Sequence, residues 1–412
     1  MTNENKELFK QALSEGVNRR IDRELAKAES DVLNEQIFTA DDADRLLKES
    51  NNKQLAIPKG YTVIDDYAFY KYTLLESIEL PETIKTIGDY TFAGCTALKT
   101  IKIPSGVETI GSHAFSGCLS LESVSFEQNS QLTTIRGYAF SNCVSLKFIA
   151  IPANVTTIGS YAFSGCVSLE SITLSKNITT ISTATFADCT SLENIQIPAG
   201  LTGIGKYAFS DCISLASVTF EKGSQLTTIG SSAFTGCVSL RNMEIPAPVT
   251  SIGDYCFRLC ASLKSVTIPD GIGEFARASF SECNSLETIK IPSGVEIVEN
   301  GAFSNCTNLK TVTFAEDSRL RIIGKSAFNQ CSSLKNIALP DNLVHLHHHA
   351  FKDCTSLECI DFPKTIELVG SYAFSGCYAL KTVSFFKPGQ ECLIGDYAFP
   401  DSACFDFKSR EA

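Results

Sequence analysis

Leu98-Lys99-Thr100-Ile101-Lys102-Ile103-Pro104-Ser105-Gly106-Val107-Glu108-Thr109-Ile110-Gly111-Ser112-His113-Ala114-Phe115-Ser116-Gly117-Cys118-Leu119-Ser120-Leu121 is one pass of a phrase that recurs down the 412-residue chain. Its first part, Leu98 to Ile103, alternates apolar and polar side chains, the period of a strand. Pro104 stands where that strand ends and a missing N–H is tolerated. Val107 to Gly111 reads as a second, short extended piece closing in a turn. Ala114-Phe115, Cys118 and Leu121 follow at three-residue spacing, which suits one helical or 3₁₀ turn. Each unit is therefore strand, turn, short strand, helical turn, with Ile, Val, Ala, Phe, Cys and Leu pointing inward.

The Phe sets the register: Phe69, Phe92, Phe115, Phe140, Phe163, Phe186, Phe209, Phe234, Phe257, Phe280, Phe303, Phe328, Phe351, Phe374 and Phe399. Steps of 23 or 25 residues mean a stacked solenoid in which each unit leans on its neighbours. Residues 55–407 then form one body of about fifteen coils spanning roughly 70 Å. A solenoid offers long surfaces and few pockets, so binding is the default function. The longer steps fall before Phe140, Phe234, Phe328 and Phe399. The first three carry matching inserts, Phe126–Leu132, Phe220–Leu226 and Phe314–Leu320, 94 residues apart. Duplication of a four-repeat block accounts for them; a row of bulges along one edge is the functional alternative.

Residues 1–54 do not repeat. Phe9, Leu13, Val17, Ile21 and Leu25 form one stripe of a helix, with Glu15, Arg19, Arg20 and Glu24 on other faces. This segment is read as a cap or as a docking helix. A second helix starts near Thr39, a good N-cap, with Asp41 and Asp42 in its first turn, and runs to about Ser50. It covers the open apolar end of the first coil. Residues 408–412 form a short tail.

The net charge is −11. That argues against nucleic acid and against anionic membrane surfaces. No apolar run reaches the length of a membrane span, and the first residues lack the stretch typical of a signal peptide. Taken as written, the chain reads as cytoplasmic, or as cell-surface or secreted if a signal was removed.

The repeated Leu-x-x-Ile-x-Ile-Pro … Ile-Gly-x-x-Ala-Phe-x-x-Cys-x-x-Leu phrase resembles the BspA-like (Treponema pallidum-type) leucine-rich repeat family over about residues 55–407. The resemblance implies a curved, right-handed solenoid with a concave parallel sheet. It further implies a surface protein engaged in adhesion to host proteins or other cells.

Seventeen Cys are present, thirteen of them at the repeat's own position. They read as a ladder of buried thiols, because parallel side-chain vectors in stacked coils suit disulfides poorly. Cys256, Cys359, Cys392 and Cys404 form no C-x-x-C pair. His345, His347, His348 and His349 replace the usual residues of one coil, with His347 in the Gly place. They are the weak metal candidates, or else a pH-sensitive patch. Tyr67, Tyr90, Tyr138, Tyr161, Tyr207, Tyr255, Tyr372 and Tyr397 recur before the Ala of the phrase and read as rings packed on the next coil. The concave strand exposes two residues per coil. Thr100, Lys102, Ser123, Ser125, Phe148, Ser171, Thr173, Asn194, Gln196, Asn242, Glu244, Thr288 and Lys290 are the candidate partner-binding residues. No catalytic constellation and no cofactor motif is complete: Gly324-Lys325-Ser326 lacks the first Gly of a phosphate loop. The expected function is a non-enzymatic module binding a protein partner. Adhesion, an intracellular scaffold and metal binding through the His cluster are its competing versions.

Overall fold

The alternation from Leu98 to Ile103 becomes a strand, Thr100–Ile103, whose side chains are exposed, buried, exposed and buried in turn. It pairs in parallel with Ser123–Phe126, Ile101 opposite Val124 and Ile103 opposite Phe126. The structure, a computed structural model, describes residues 36–49, 53–385 and 392–407; the Phe9–Leu25 stripe and the tail at 408–412 lie outside them. Among the described residues are fifteen long strands of this kind and sixteen two-residue short strands, from Ile37–Phe38 to Leu393–Ile394. Each pairs only with its equivalents in adjacent coils. The result is a parallel solenoid with two β sides and one core. The coil through Ile337 buries that residue without strand pairing.

The third side is a run of reverse turns rather than helix. The three-residue spacing is met by i→i−3 bonds: Ser116 N–H donates to the His113 carbonyl at 3.0 Å and Cys118 N–H to Phe115 at 3.2 Å. Alternate N–H groups leave for the next coil. His113, Phe115 and Gly117 donate to the carbonyls of Gly137, Ala139 and Ser141 at 3.0, 2.7 and 2.8 Å. That alternation requires left-handed backbone on both sides of the Phe, seen at His113 (φ 56) and Gly117 (φ 70). A helix, whose residues are uniformly right-handed, cannot supply it.

The core is a column of sixteen Phe rings from Phe38 to Phe399, with centroids 5.1–5.7 Å apart. Each such pair adds about 1 kcal/mol beyond the area it buries. The Gly of Ile-Gly has its own cause: a Cβ at Gly111 would lie 2.5 Å from the Gly88 carbonyl carbon. Glycine at this place lets the preceding coil's backbone approach without that clash, although Arg136, Ser182, Ala276, Glu299 and His347 hold the same register in other coils.

The expected second helix is α1, Ala40–Glu49. Thr39 Oγ1 accepts the Asp42 N–H at 3.4 Å, and Asp42 accepts the Thr39 N–H at 2.9 Å, a reciprocal cap. Ala43 is fully buried, Leu46 and Leu47 pack on the core, and Phe38 lies flat on Phe69. The Tyr72 hydroxyl, in the first coil's Cys position, hydrogen-bonds Asp44 and ties the helix down.

The thirteen repeat cysteines are buried and form no disulfides. They are also hydrogen-bonded, which the sequence did not reveal. Cys118 Sγ donates to the Phe92 carbonyl of the preceding coil at 3.2 Å, and Cys237 Sγ to Phe209 at 3.1 Å. Burial pushes the thiols of Cys95, Cys166 and Cys306 up to about 12. Alkylation of the native chain with iodoacetamide should therefore mark Cys359 and Cys404 quickly and half-buried Cys392 slowly. The fourteen buried thiols should react only on unfolding, as read by peptide mass spectrometry. Rapid native labelling of the repeat position would contradict this packing.

Candidate functional site

Strand alternation forces every second side chain of the long strands outward, so the exposed row follows directly from the repeat. Thr100, Lys102, Ser125, Phe148, Ser171, Thr173, Asn194, Gln196, Asn242, Glu244, Thr288 and Lys290 are exposed, and Ser123 is half-buried. Parallel register sets them side by side: Ser123 beside Thr100, Phe148 beside Ser123 and Ser171, Asn242 beside Ser265. Ser265 Oγ donates to Asn242 Oδ1 at 2.8 Å across that register. Phe148, 60% exposed, is the large apolar side chain on an otherwise polar stretch.

The inserts border this face. Phe126, Phe220 and Phe314 end four-residue strands and pack on the core. Ser130, Ser224 and Ser318 then close the same turn, each accepting an N–H two residues on at 3.3 Å. Glu127 accepts the Ser105 N–H at 3.1 Å and pairs with Lys102 Nζ at 2.6 Å. Glu221 accepts the Ala199 N–H at 3.2 Å. Two open hollows result. One of about 1130 Å³ lies among Ala56, Pro58, Glu79, Pro81, Lys102 and Glu127. The other, about 610 Å³, lies among Thr219, Phe220, Glu221, Gly223, Glu244 and Pro246.

Two further rows flank the long strands and went unread in the sequence. The residue before each strand is charged in nearly every coil: Lys53, Glu76, Lys99, Glu122, Lys147, Glu170 and onward to Lys381. Lys53 and Lys99 reach Glu76 at 2.9 and 3.6 Å, and Lys310 reaches Glu287 at 2.9 Å. The recurrent Leu-Glu and Leu-Lys pairs carried that signal. In the turn entering the strand, Leu119, Val167, Ile213 and Val238 form an exposed apolar row at one register.

Six of the eight row tyrosines lie in two ring stacks; Tyr207 and Tyr255 stand beside Ala184, Ser232 and Ala278 at the same register. Tyr67, Tyr90, His113, Tyr138 and Tyr161 lie face to face with centroids 4.4–4.8 Å apart. His349, Tyr372 and Tyr397 form a second stack at 5.3 Å. These rings sit on left-handed residues, such as Tyr138 at φ 58, a strained place for a bulky side chain that stacking offsets.

The His cluster divides among different tasks. His349 joins the second stack. His348 Nδ1 accepts the Ser371 N–H at 3.0 Å, as Asp89 accepts from Ser112 at 2.7 Å and Asn300 from Lys325 at 2.7 Å. His345 lies 3.7 Å from Glu367, with the His347 ring 6.1 Å away. Among the described residues no three His, Cys, Asp or Glu converge as metal ligands. No helix among them is long and apolar enough to cross a membrane.

Two parallel ladders, a turn side and a ring column define a leucine-rich-repeat solenoid. The BspA type leucine rich repeat region matches residues 44–170, 125–237, 227–319 and 314–409. The chain belongs to that family. A leucine-rich repeat protein from Bacteroides ovatus is 31% identical, with a TM-score of 0.77, covering 87% of this chain and 93% of its own. A leucine-rich cell surface protein from Faecalibacterium prausnitzii is 25% identical, covering 82% of this chain and 89% of its own, with a TM-score of 0.45. No curated protein matches the chain at a significant level.

Burial in the stack holds the His113 imidazole below its ordinary value, against a smaller upward pull from Asp89. Between the ordinary imidazole pKa and that lower one, the unfolded chain takes up a proton that the folded chain refuses. Stability therefore falls as pH drops through the ordinary imidazole range toward the lowered value. His113→Tyr, which restores the ring usual at this register, should lose less melting temperature over that interval than the parent. Equal losses would show that His113 does not carry the effect.

Proposed function

We propose that the chain is a non-enzymatic interaction module that binds a protein partner across its long-strand face. The observation that carries this reading is the row of outward, mostly small and polar side chains along the long strands, beside two open hollows that Glu127 and Glu221 of the inserts border. Such a face supplies many modest hydrogen bonds over a large area, with Phe148 and the Leu119–Val238 row as apolar anchors. Family membership supports the finer form, adhesion at a cell surface. The ladder of free thiols favours the other form, an intracellular scaffold, since free thiols persist most readily in a reducing compartment.

A displayed library of protein fragments selected on the intact chain supplies the test ligand. Phe148→Asp combined with Gln196→Arg should weaken the selected ligand about 10- to 100-fold by calorimetry, with circular dichroism unchanged. Thr157→Arg, on the short-strand side, should leave affinity intact. Ligands that respond to Thr157→Arg and ignore the other pair would reject the assignment.

A further inference from the structure

The first tyrosine stack pairs phenols across consecutive coils. Tyr67 and Tyr90 lie with centroids 4.8 Å apart and planes 4° from parallel, and Tyr138 and Tyr161 at 4.6 Å and 3°. His113 stands between the two pairs, 4.4 Å from Tyr90 and 4.5 Å from Tyr138. Both members of each pair hold the same left-handed backbone: φ is 59 and 56 at Tyr67 and Tyr90, and 58 and 59 at Tyr138 and Tyr161. Their N–H groups make equivalent bonds to the following coil, at 2.8–2.9 Å, with Asp89, Ser112, Ser160 and Thr183 as acceptors. The two rings of a pair are therefore stacked like on like, each ortho carbon beside its counterpart.

Water reaches these rings. Tyr138 is 37% exposed, and Tyr67, Tyr90 and Tyr161 are half-buried. The Phe column beneath has a similar spacing, but it is sealed from solvent and carries no hydroxyl. Tyr207 and Tyr255 are as exposed as Tyr138 or more so, yet their neighbours at the register are Ala184, Ser232 and Ala278. The chain thus holds phenols with a stacked phenol partner and phenols without one on the same side of the solenoid.

We propose that the Tyr138 and Tyr161 pair and the Tyr67 and Tyr90 pair are oxidative cross-linking sites, where a haem peroxidase with hydrogen peroxide joins consecutive coils through dityrosine. Each phenol gives up one electron and one proton, leaving a phenoxyl radical with spin on its ortho carbons. The two radicals combine, and one carbon–carbon bond forms between ortho positions. The hydrogens on those carbons leave as protons, the two oxygens are reprotonated, and both rings regain aromaticity. Peroxide takes up the two electrons and two protons and leaves as two waters. A ring held one coil away acts at an effective concentration of about a millimolar or more, far above that of a second chain at micromolar concentration. The link therefore forms within the chain. His113 yields no phenoxyl radical, so it divides the stack into two separate pairs. The links brace the turn side and leave the long-strand face, and whatever binds it, untouched.

The test treats the full chain with a haem peroxidase and hydrogen peroxide, after alkylation of Cys359, Cys392 and Cys404, the thiols that are not buried. Peptide mass spectrometry reads the products over a dilution series. Linked peptides lighter by two hydrogens should join Tyr138 to Tyr161 and Tyr67 to Tyr90, with a yield per chain that does not change on dilution. Tyr138→Phe keeps a ring in the stack and should abolish the first link while sparing the second; should it fail to fold, Tyr161→Phe decides. His113→Tyr should add links from position 113 to Tyr90 and Tyr138. Links centred on Tyr207 or Tyr255, yields that fall on dilution, a Tyr161 link that persists in Tyr138→Phe, or no coupling at either pair would overturn the assignment.

Discussion

Each Phe of the repeat couples three coils, and the rest of the structure depends on that coupling. The Phe92 ring lies between Phe69 and Phe115, at 5.1 and 5.2 Å. Its N–H donates to Ala114 of the next coil at 2.7 Å. Its carbonyl accepts Cys95 N–H of its own coil at 3.0 Å and the Cys118 thiol of the next at 3.2 Å. Ring, donor and acceptor are all satisfied without the long-strand side chains that face outward. The Ala that precedes the Phe and the Gly of Ile-Gly follow from the same demand for close approach.

That division of labour leaves the outer face free to vary. Phe and Cys hardly change from coil to coil, because the column admits no other volume. The outward pair runs through Thr and Lys, Ser and Ser, Phe and Ala, Asn and Gln, Asn and Glu along the same stretch. Side chains at these positions change the surface without disturbing the column, and extended recognition surfaces on solenoids are built this way. The inserts add relief beside the face at intervals of four coils, and Glu127 and Glu221 anchor two of them to the preceding coil.

The strand alternation, the period, the inward residues and α1 were legible because they express burial, which writes directly into apolar spacing. The three-residue spacing of the turn side reads as one helical or 3₁₀ turn, and i→i−3 closure is present, but as successive single turns. Only the coordinates show alternate N–H groups crossing to the next coil. The thiols were read as small hydrophobes, and their hydrogen bonds were hidden because the Phe carbonyl that accepts them is backbone. The Tyr rings do pack on the next coil as the sequence suggests, and for six of the eight the surface they meet is another Tyr or His, which shows once the register is known. His348 drew notice as one of four clustered His, and its role emerged only beside Asp89 and Asn300. The outward strand positions are legible as positions, because the strand period fixes which side chains face out and says nothing of what meets them.

The account stands on a partner being read by the long-strand face. Amide hydrogen exchange of the intact chain, free and saturated with a selected protein ligand, tests this most directly. It predicts new protection in the long strands and at the rims of the inserts around Glu127 and Gly223, with the short strands unchanged. Protection confined to the short strands or the turn side would contradict it.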